Sequence, residues 1–371
     1  MNVNKIIPAK LKIGDEIRII APSRSMSILK ENIIEIAKSR LEDLGFKVSF
    51  GKNVMNSIND DYKCASIEDR VSDLRDAFID KNVKAILTVI GGYNVNQILD
   101  EIDYELIKNN PKILCGFSDI TALTNAIYAK TGLLTYSGVH FSSFGMKYGF
   151  EYSLEHFKKI FLTDKWIQIN SSEEWSNDSW FSNQENRNFE KNEGMQIISE
   201  GKAEGKIIGG NLCTLNLLQG TEYMPDINNS ILFIEDDGLV GKEFIREFDR
   251  NLQSLLHTAK EKNIKGIVIG RAEKVSEMNY NKWANILKTK KQLENIPIII
   301  NANFGHTTPI FTFPIGGNAK LVAQNNKIDL KIKDQGDVKY EIFKKINRRK
   351  NIFISKRFFR RRNTKVCRVD E

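Results

Sequence analysis

Two periodicities alternate along the first part of the chain. Glu16-Ile17-Arg18-Ile19-Ile20 is a short, mostly apolar run that stops at Ala21-Pro22-Ser23, as a strand entering a loop does. Ile33, Ile34, Ile36, Ala37, Leu41 and Leu44 recur at roughly helical spacing, and Gly45 supplies the stop. Lys47-Val48-Ser49-Phe50 predicts a second strand. Ser66, with Asp69 three residues on, has the pattern of a capping box opening a helix that runs toward Asp80. Residues 83–90 predict a third strand ending in Gly91-Gly92-Tyr93-Asn94, with a helix expected from Asn94. A further apolar run over residues 112–115 turns at Gly116-Phe117-Ser118-Asp119 into a helix reaching Lys130, and residues 133–136 predict one more strand. Alternating strands and helices imply a parallel sheet covered on both faces, with ligands at the carboxyl ends of the strands. Gly91-Gly92 and Ser118 both fall there.

From about residue 165 to 205 the texture changes: Trp166, Trp175, Trp180 and Phe181 lie among Ser, Asn, Asp, Glu and Gln. Such a stretch reads as a linker and loop, whose aromatic residues either stack on a flat ligand or anchor the loop to the body. Beyond it, residues 231–235, 266–270 and 296–300 predict strands, and Phe244, Phe248, Leu252, Leu255 and Leu256 mark one face of a helix. The expected organisation is therefore an amino-terminal α/β domain over residues 1–165, a linker and substrate loop over 166–204, a carboxyl-terminal domain over 205–335, and a tail over 336–371.

Length supports that division, since 371 residues are long for a single core. No apolar run approaches the roughly 18 residues that span a bilayer, and the start lacks the long apolar core of a signal peptide. Cys64, Cys115, Cys213 and Cys367 are scattered without a CxxC pair, which favours free thiols and a cytoplasmic location. No metal-ligand cluster stands out, and no cofactor is expected. The net charge of +8 is a property of the tail: from Lys344 onward twelve Lys or Arg stand against Asp370 and Glu371, a balance of +10, so the preceding residues carry 8 − 10 = −2. The tail reads either as an arm for nucleic acid or anionic membrane or as a poorly ordered extension with no catalytic role; the second is the expectation.

The chemistry gathers at the strand ends. A serine in a tight strand-to-helix turn is either an N-cap or a nucleophile lifted toward the free N–H groups of the helix start. The amide of Gly92, unshielded by a side chain, and that of Asp119 after the serine would form an oxyanion hole. A nucleophilic serine needs an imidazole base, and the base needs a carboxylate. Of four histidines, His156 and His257 sit in helical patterns, His140 lies near the first domain's last strand as a second candidate, and His306 occupies a loop beside Gly305 after a buried strand. Glu235, Glu273 and His306 all lie at or just past strand ends, and Ser118, Glu235 and His306 supply nucleophile, acid and base in chain order.

Gly91-Gly92-Tyr93-Asn94, Gly116-Phe117-Ser118-Asp119, Gly209-Gly210-Asn211-Leu212, Phe233-Ile234-Glu235-Asp236, and Gly305-His306-Thr307 with Pro314-Ile315-Gly316 together resemble the LD-carboxypeptidase family of serine peptidases, and within it the microcin C self-immunity branch. The resemblance spans roughly residues 5 to 333. It implies a flavodoxin-like parallel-sheet domain followed by a smaller α/β domain, a homodimer, a triad on Ser118, Glu235 and His306, and an oxyanion hole on Gly92 and Asp119. The wider family removes a terminal D-amino acid from cell-wall tetrapeptides; the immunity branch cleaves the amide joining an aspartyl group to a modified adenylate. In that branch an aromatic residue stacks on the adenine, a role that falls on Trp180. Asn211 and Glu273 are expected to hold polar or amino groups of the small-molecule substrate, with bracing of the active-site backbone as the other role for Asn211. The tail has no counterpart in the family pattern.

Overall fold

The computed structural model describes residues 4–58, 61–259 and 263–335. Its first sheet has six strands, in the order Phe313–Ile315, Thr135–Ser137, Ile113–Gly116, Val83–Thr88, Glu16–Ile20, Lys47–Phe50. The last five of these are mutually parallel, and Phe313–Ile315 adds an antiparallel edge against Thr135–Ser137. Numbered along the chain, the parallel strands lie 2-1-3-4-5, the flavodoxin-like order, whose direction of winding reverses between the first strand and the third. The loops leaving those two strands, at Ala21–Arg24 and Gly91–Asn94, therefore flank the switch point. Buried Arg70 ties them together, donating from Nη1 to Pro22 O at 3.2 Å and Asn94 O at 3.1 Å.

The helices follow the predicted spacing. Glu31–Asp43 buries Ile33, Ala37 and Leu41, and Ile67–Ile79 is capped by Ser66, whose hydroxyl accepts from Asp69 N at 3.0 Å. The helix expected from Asn94 is instead a 3₁₀ segment, Val95–Glu101, followed by a short α-helix, Tyr104–Asn109. Its start is held from outside, because the Asp119 carboxylate accepts from the N–H groups of Asn94 and Val95.

The second sheet has eight strands, in the order Ile167–Ile169, Lys327–Lys333, Asn318–Gln324, Gly201–Asn211, Ser230–Glu235, Gly266–Gly270, Ile298–Ala302, Gln196–Ser199. Gly201–Asn211 through Ile298–Ala302 are parallel, and the flanking strands are antiparallel. Residues expected only as linker thus supply both edges, Ile167–Ile169 and Gln196–Ser199. Phe313–Ile315, in the carboxyl-terminal half, crosses back into the first sheet.

The helix Ile120–Thr131 joins the two sheets and is buried continuously from Ile120 to Ile127. It lies on the end of Gly201–Asn211: Asn125 Nδ2 donates to Gly209 O at 2.9 Å and Asn211 N donates to Thr121 Oγ1 at 2.9 Å. Close approach is what Gly209 and Gly210 permit. A Cβ on Gly209 would lie 1.8 Å from Phe233 O, and one on Gly210 2.5 Å from Thr121 Oγ1. Among the described residues no helix is long and apolar enough to cross a membrane. The basic tail, residues 336–371, lies outside the described residues.

Candidate active site

Ser118 sits between the strand Ile113–Gly116 and the helix Ile120–Thr131 with φ of +60°, a left-handed conformation that L-residues with side chains rarely hold. The turn is kept tight by Gly116, where a Cβ would stand 2.2 Å from Thr88 Oγ1. Asp119 anchors it from behind: its Oδ2 accepts from Ser23 Oγ at 2.6 Å, Asn94 N at 2.9 Å and Val95 N at 3.0 Å. Burial nevertheless raises the Asp119 pKa above the ordinary carboxylate value, the three hydrogen bonds and Arg70 offsetting only part of it. One carboxylate thereby fixes the elbow and the loop after Gly91-Gly92 to each other. The loop presses close, since a Cβ on Gly91 would lie 2.9 Å from Ser118 Cβ and 3.1 Å from its Oγ. Neither Gly92 N–H nor Asp119 N–H donates to another group among the described residues.

From the second sheet come the other two residues. Glu235 ends the strand Ser230–Glu235 and is 3% exposed; its Oε2 accepts from His306 Nδ1 at 2.8 Å. His306 Nε2 lies 3.0 Å from Ser118 Oγ. Gly305 makes the contact possible: at φ +106° it holds the chain where a Cβ would come within 2.6 Å of Glu235 Oε2. The His306 loop is tied down by paired hydrogen bonds between Ser176 and Thr308, 2.7 and 2.9 Å, and by Ile310 N donating to Ser153 Oγ at 3.0 Å. Burial lowers the His306 pKa, but the charge and hydrogen bond of Glu235 outweigh it, aided by Asp237 and Glu273, and the pKa rises from 6.5 to about 9.

His140, the second histidine candidate, is 2% exposed and shares a hydrogen bond between Nδ1 and Thr88 Oγ1 at 2.8 Å. Burial pushes its pKa down to about 3, with His306 and Arg24 adding to the effect. Its ring lies tilted by 30° against that of Phe117, centroids 4.4 Å apart, and the serine's imidazole contact is with His306 instead.

Ser118 and His306 open into a cavity of about 480 Å³. The first sheet contributes Arg24, Gly91, Gly92, Phe117 and His140 to its wall; the second contributes Asp237, Gly238, Leu239 and Glu273. Residues Ser176–Phe181 close a third side, with Trp180 half-buried on the wall. That loop is clamped by Arg187, whose Nε donates to both Asp178 oxygens at 2.9 and 2.8 Å, and by Asn177 Nδ2 donating to Glu273 Oε1 at 3.0 Å. Glu273 also accepts from Gly238 N at 2.6 Å. Asn211 is placed differently. It is 1% exposed and absent from the cavity wall; its Oδ1 caps the following helix through Thr214 N at 3.0 Å and its Nδ2 donates to Asp236 at 3.1 Å. Sequence reading passed over Arg24, Asp237 and Asn177, which lie on the wall; the first two follow strand ends, and that position was their only signal.

Among the described residues, Cys213, Asp236 and Asp237 bring thiol and carboxylate atoms within 4.8 Å of one another. Burial and the two aspartates push the Cys213 thiol up, and burial with Glu235 and Asp237 raises Asp236 to about 7.

A strained serine elbow, a serine–imidazole–carboxylate hydrogen-bond chain and a doubly wound sheet with a second α/β layer define a hydrolase of the serine-peptidase type. Residues 17–138 match the LD-carboxypeptidase N-terminal domain and residues 204–321 the LD-carboxypeptidase C-terminal domain. The chain belongs to the LD-carboxypeptidase family. It is 53% identical over 315 residues to a Bacillus subtilis protein named as a carboxypeptidase, YocD, covering 85% of this chain and 95% of that one. The crystal structure of an MccF-like protein from Bacillus anthracis superposes with a TM-score of 0.87 at 52% identity, covering 89% of this chain and all of the other. The microcin C7 self-immunity protein MccF of Escherichia coli is 32% identical over 340 residues, 88% of this chain and 95% of its own length. A structure of MccF with aspartyl sulfamoyl adenosine superposes at TM-score 0.78 and 31% identity, covering 89% and 99% of the two chains.

Proposed function

We propose that Ser118, His306 and Glu235 act as nucleophile, base and acid in cleaving an amide of a small aminoacyl-adenylate-like ligand, in the manner of microcin C immunity. The observation that carries this reading is the unbroken chain Glu235–His306–Ser118, 2.8 and 3.0 Å, facing a cavity walled on one side by Trp180. His306 Nε2 takes the proton as Ser118 Oγ attacks the acyl carbon, and Glu235 stabilises the imidazolium that forms. The amides of Gly92 and Asp119 receive the developing oxyanion. His306 then protonates the leaving nitrogen, and water releases the acyl group by the same route in reverse. Trp180 stacks on the purine, Glu273 orients the substrate, and Asn211 braces the backbone beside Glu235 and Asp236. The enzyme works as a cytoplasmic homodimer in this reading.

The second reading is removal of a terminal D-amino acid from a murein tetrapeptide. It is favoured by the family itself and by Asp237 and Glu273, which offer carboxylates to an amino group of such a peptide. One experiment separates them: the purified protein is offered aspartyl sulfamoyl adenosine and the tetrapeptide, and the products are identified. Release of aspartate is expected; cleavage of the peptide alone overturns the first reading. Ser118→Ala and His306→Ala should each lower kcat by about 10³-fold or more and abolish fluorophosphonate labelling, the double variant being little worse than either. Near-normal turnover by His306→Ala would remove it from the base role.

A further inference from the structure

We infer that Arg24 is the residue that selects the leaving group, by pairing with an oxyacid group carried next to the scissile nitrogen. This rests on the amide-hydrolase reading above. Arg24 is the only lysine or arginine among the described residues that line the cavity, whose lining also carries Asp237 and Glu273. Its half-buried side chain passes against the glycine pair: a Cβ on Gly92 would stand 2.9 Å from Arg24 Cγ, and Arg24 Nε donates to Gly91 O at 3.0 Å. It has no acidic partner among the described residues, so its terminal nitrogens keep donors for a ligand.

The position is built rather than incidental. Arg24 follows the first strand at the switch point of the sheet, where ligands of doubly wound folds collect. Its backbone bridges to Cys64, Ser25 N donates to Lys63 O at 2.7 Å, and the neighbouring Ser23 hydroxyl is held by Asp119 at 2.6 Å. The Nε bond to Gly91 fixes the guanidinium plane, so little side-chain freedom is lost on pairing.

Both substrate classes carry the same chemistry at this place. A D-amino acid leaves as an amine whose adjacent carbon bears a carboxylate. A sulfamoyl nucleoside leaves through a nitrogen bonded directly to a sulfonyl group, and the acylated form is ionised at neutral pH. With the acyl carbon at Ser118 and its oxygen at the Gly92 amide, an arginine against Gly92 lies beside the scissile bond. A forked guanidinium fits either oxyacid.

The test compares paired substrates in wild type, Arg24→Gln and Arg24→Lys. One pair is the tetrapeptide and its terminal carboxamide. The other is aspartyl sulfamoyl adenosine and the aspartyl amide of 5′-amino-5′-deoxyadenosine, which lacks the sulfonyl group. Wild type should prefer the acid-bearing member, and Arg24→Gln should reduce that preference in kcat/KM by about 10- to 100-fold, with Arg24→Lys in between. The pair that shows the effect identifies the source of the oxyacid. Each ratio is taken within one variant, so general damage to folding cancels. A preference that survives in Arg24→Gln overturns the inference, as does an equal loss on both members. So does a loss that instead follows aspartyl against asparaginyl on the acyl side. Should wild type cleave none of the four, the substrate reading fails, and Arg24 is judged by binding of AMP against adenosine. An advantage for AMP that Arg24→Gln removes supports the inference; equal affinities in wild type overturn it.

Discussion

Replacing Glu235 by Gln keeps the shape around His306 and an oxygen facing Nδ1, while removing the charge 2.8 Å away. In the wild type that charge carries the His306 pKa from 6.5 to about 9 against the opposing effect of burial. At 1.36 kcal/mol per pH unit, the rise corresponds to about 3 kcal/mol favouring imidazolium. Catalysis requires the free imidazole to take a proton, so wild-type kcat/KM should climb with pH and level off only near 9. In Glu235→Gln burial dominates, and the bend should fall to 6.5 or below. On the plateau the variant should be slower by about 10²- to 10³-fold, since the imidazolium of the transition state has lost about 3 kcal/mol. At pH 6.5 only about 0.3% of the wild-type imidazole is free base, so the two enzymes should come within a few-fold of each other. The assay is kcat/KM for aspartyl sulfamoyl adenosine from pH 6 to 10 for both proteins. Profiles that bend at the same pH, or a loss that is equal at pH 6.5 and 9, would refute the reasoning. Linkage gives a second readout. A folded pKa above the unfolded one stabilises fully below pH 6.5, and that stability is lost as pH rises through about 9. The thermal midpoint of wild type should therefore fall over this window relative to Glu235→Gln.

Three further outcomes are expected. Trp180→Ala should cost about 1–3 kcal/mol on the adenylate substrate, roughly 5- to 150-fold in kcat/KM, and much less on the tetrapeptide; equal losses would make Trp180 only an anchor of its loop. Ending the chain after Gln335 should leave kinetics and thermal midpoint nearly unchanged, whereas ending it after Lys333 removes buried Asp334, which accepts from Lys10 Nζ at 2.5 Å and Tyr136 OH at 2.9 Å, and should cost about 1–3 kcal/mol by denaturant titration. Gly209→Ala should cost about 3 kcal/mol or more, because its Cβ would stand 1.8 Å from Phe233 O, while Gly220→Ala, at φ +80° with open space around it, should lose only about 1–2 kcal/mol.

The chain's own periodicity settled most of the parallel layer of the first sheet, because most of its strands are short apolar runs and the helices Glu31–Asp43 and Ile67–Ile79 bury one side, signals contained in a dozen consecutive residues. The elbow was legible for the same reason: Gly116, Ser118 and the helix start are neighbours in sequence. Pattern said much less about strands at the edges. Ile167–Ile169 and Gln196–Ser199 are three and four residues long within polar sequence, and they are strands because neighbouring strands offer them unpaired backbone groups. Phe313–Ile315 contains a proline and joins the first sheet only as an antiparallel edge.

Tertiary structure alone decided which polar residues meet. Glu235 and His306 lie 71 positions apart, and His306 and Ser118 lie 188 apart, so no local pattern could supply their distances. Strand-end positions and the chemistry a nucleophilic serine needs proposed those three residues, and the resemblance carried by short glycine-rich segments agreed; the buried helix Ile120–Thr131, seated on Gly209 and Gly210, is what brings them within hydrogen-bond range. The same packing turned Asn211 into a helix cap beneath the site, tied His140 to Thr88 at the cavity wall, and set Arg24 against Gly92. A residue's type limits the chemistry it can do, but burial, partners and reach are properties of its neighbours in space, and those neighbours come from distant parts of the chain.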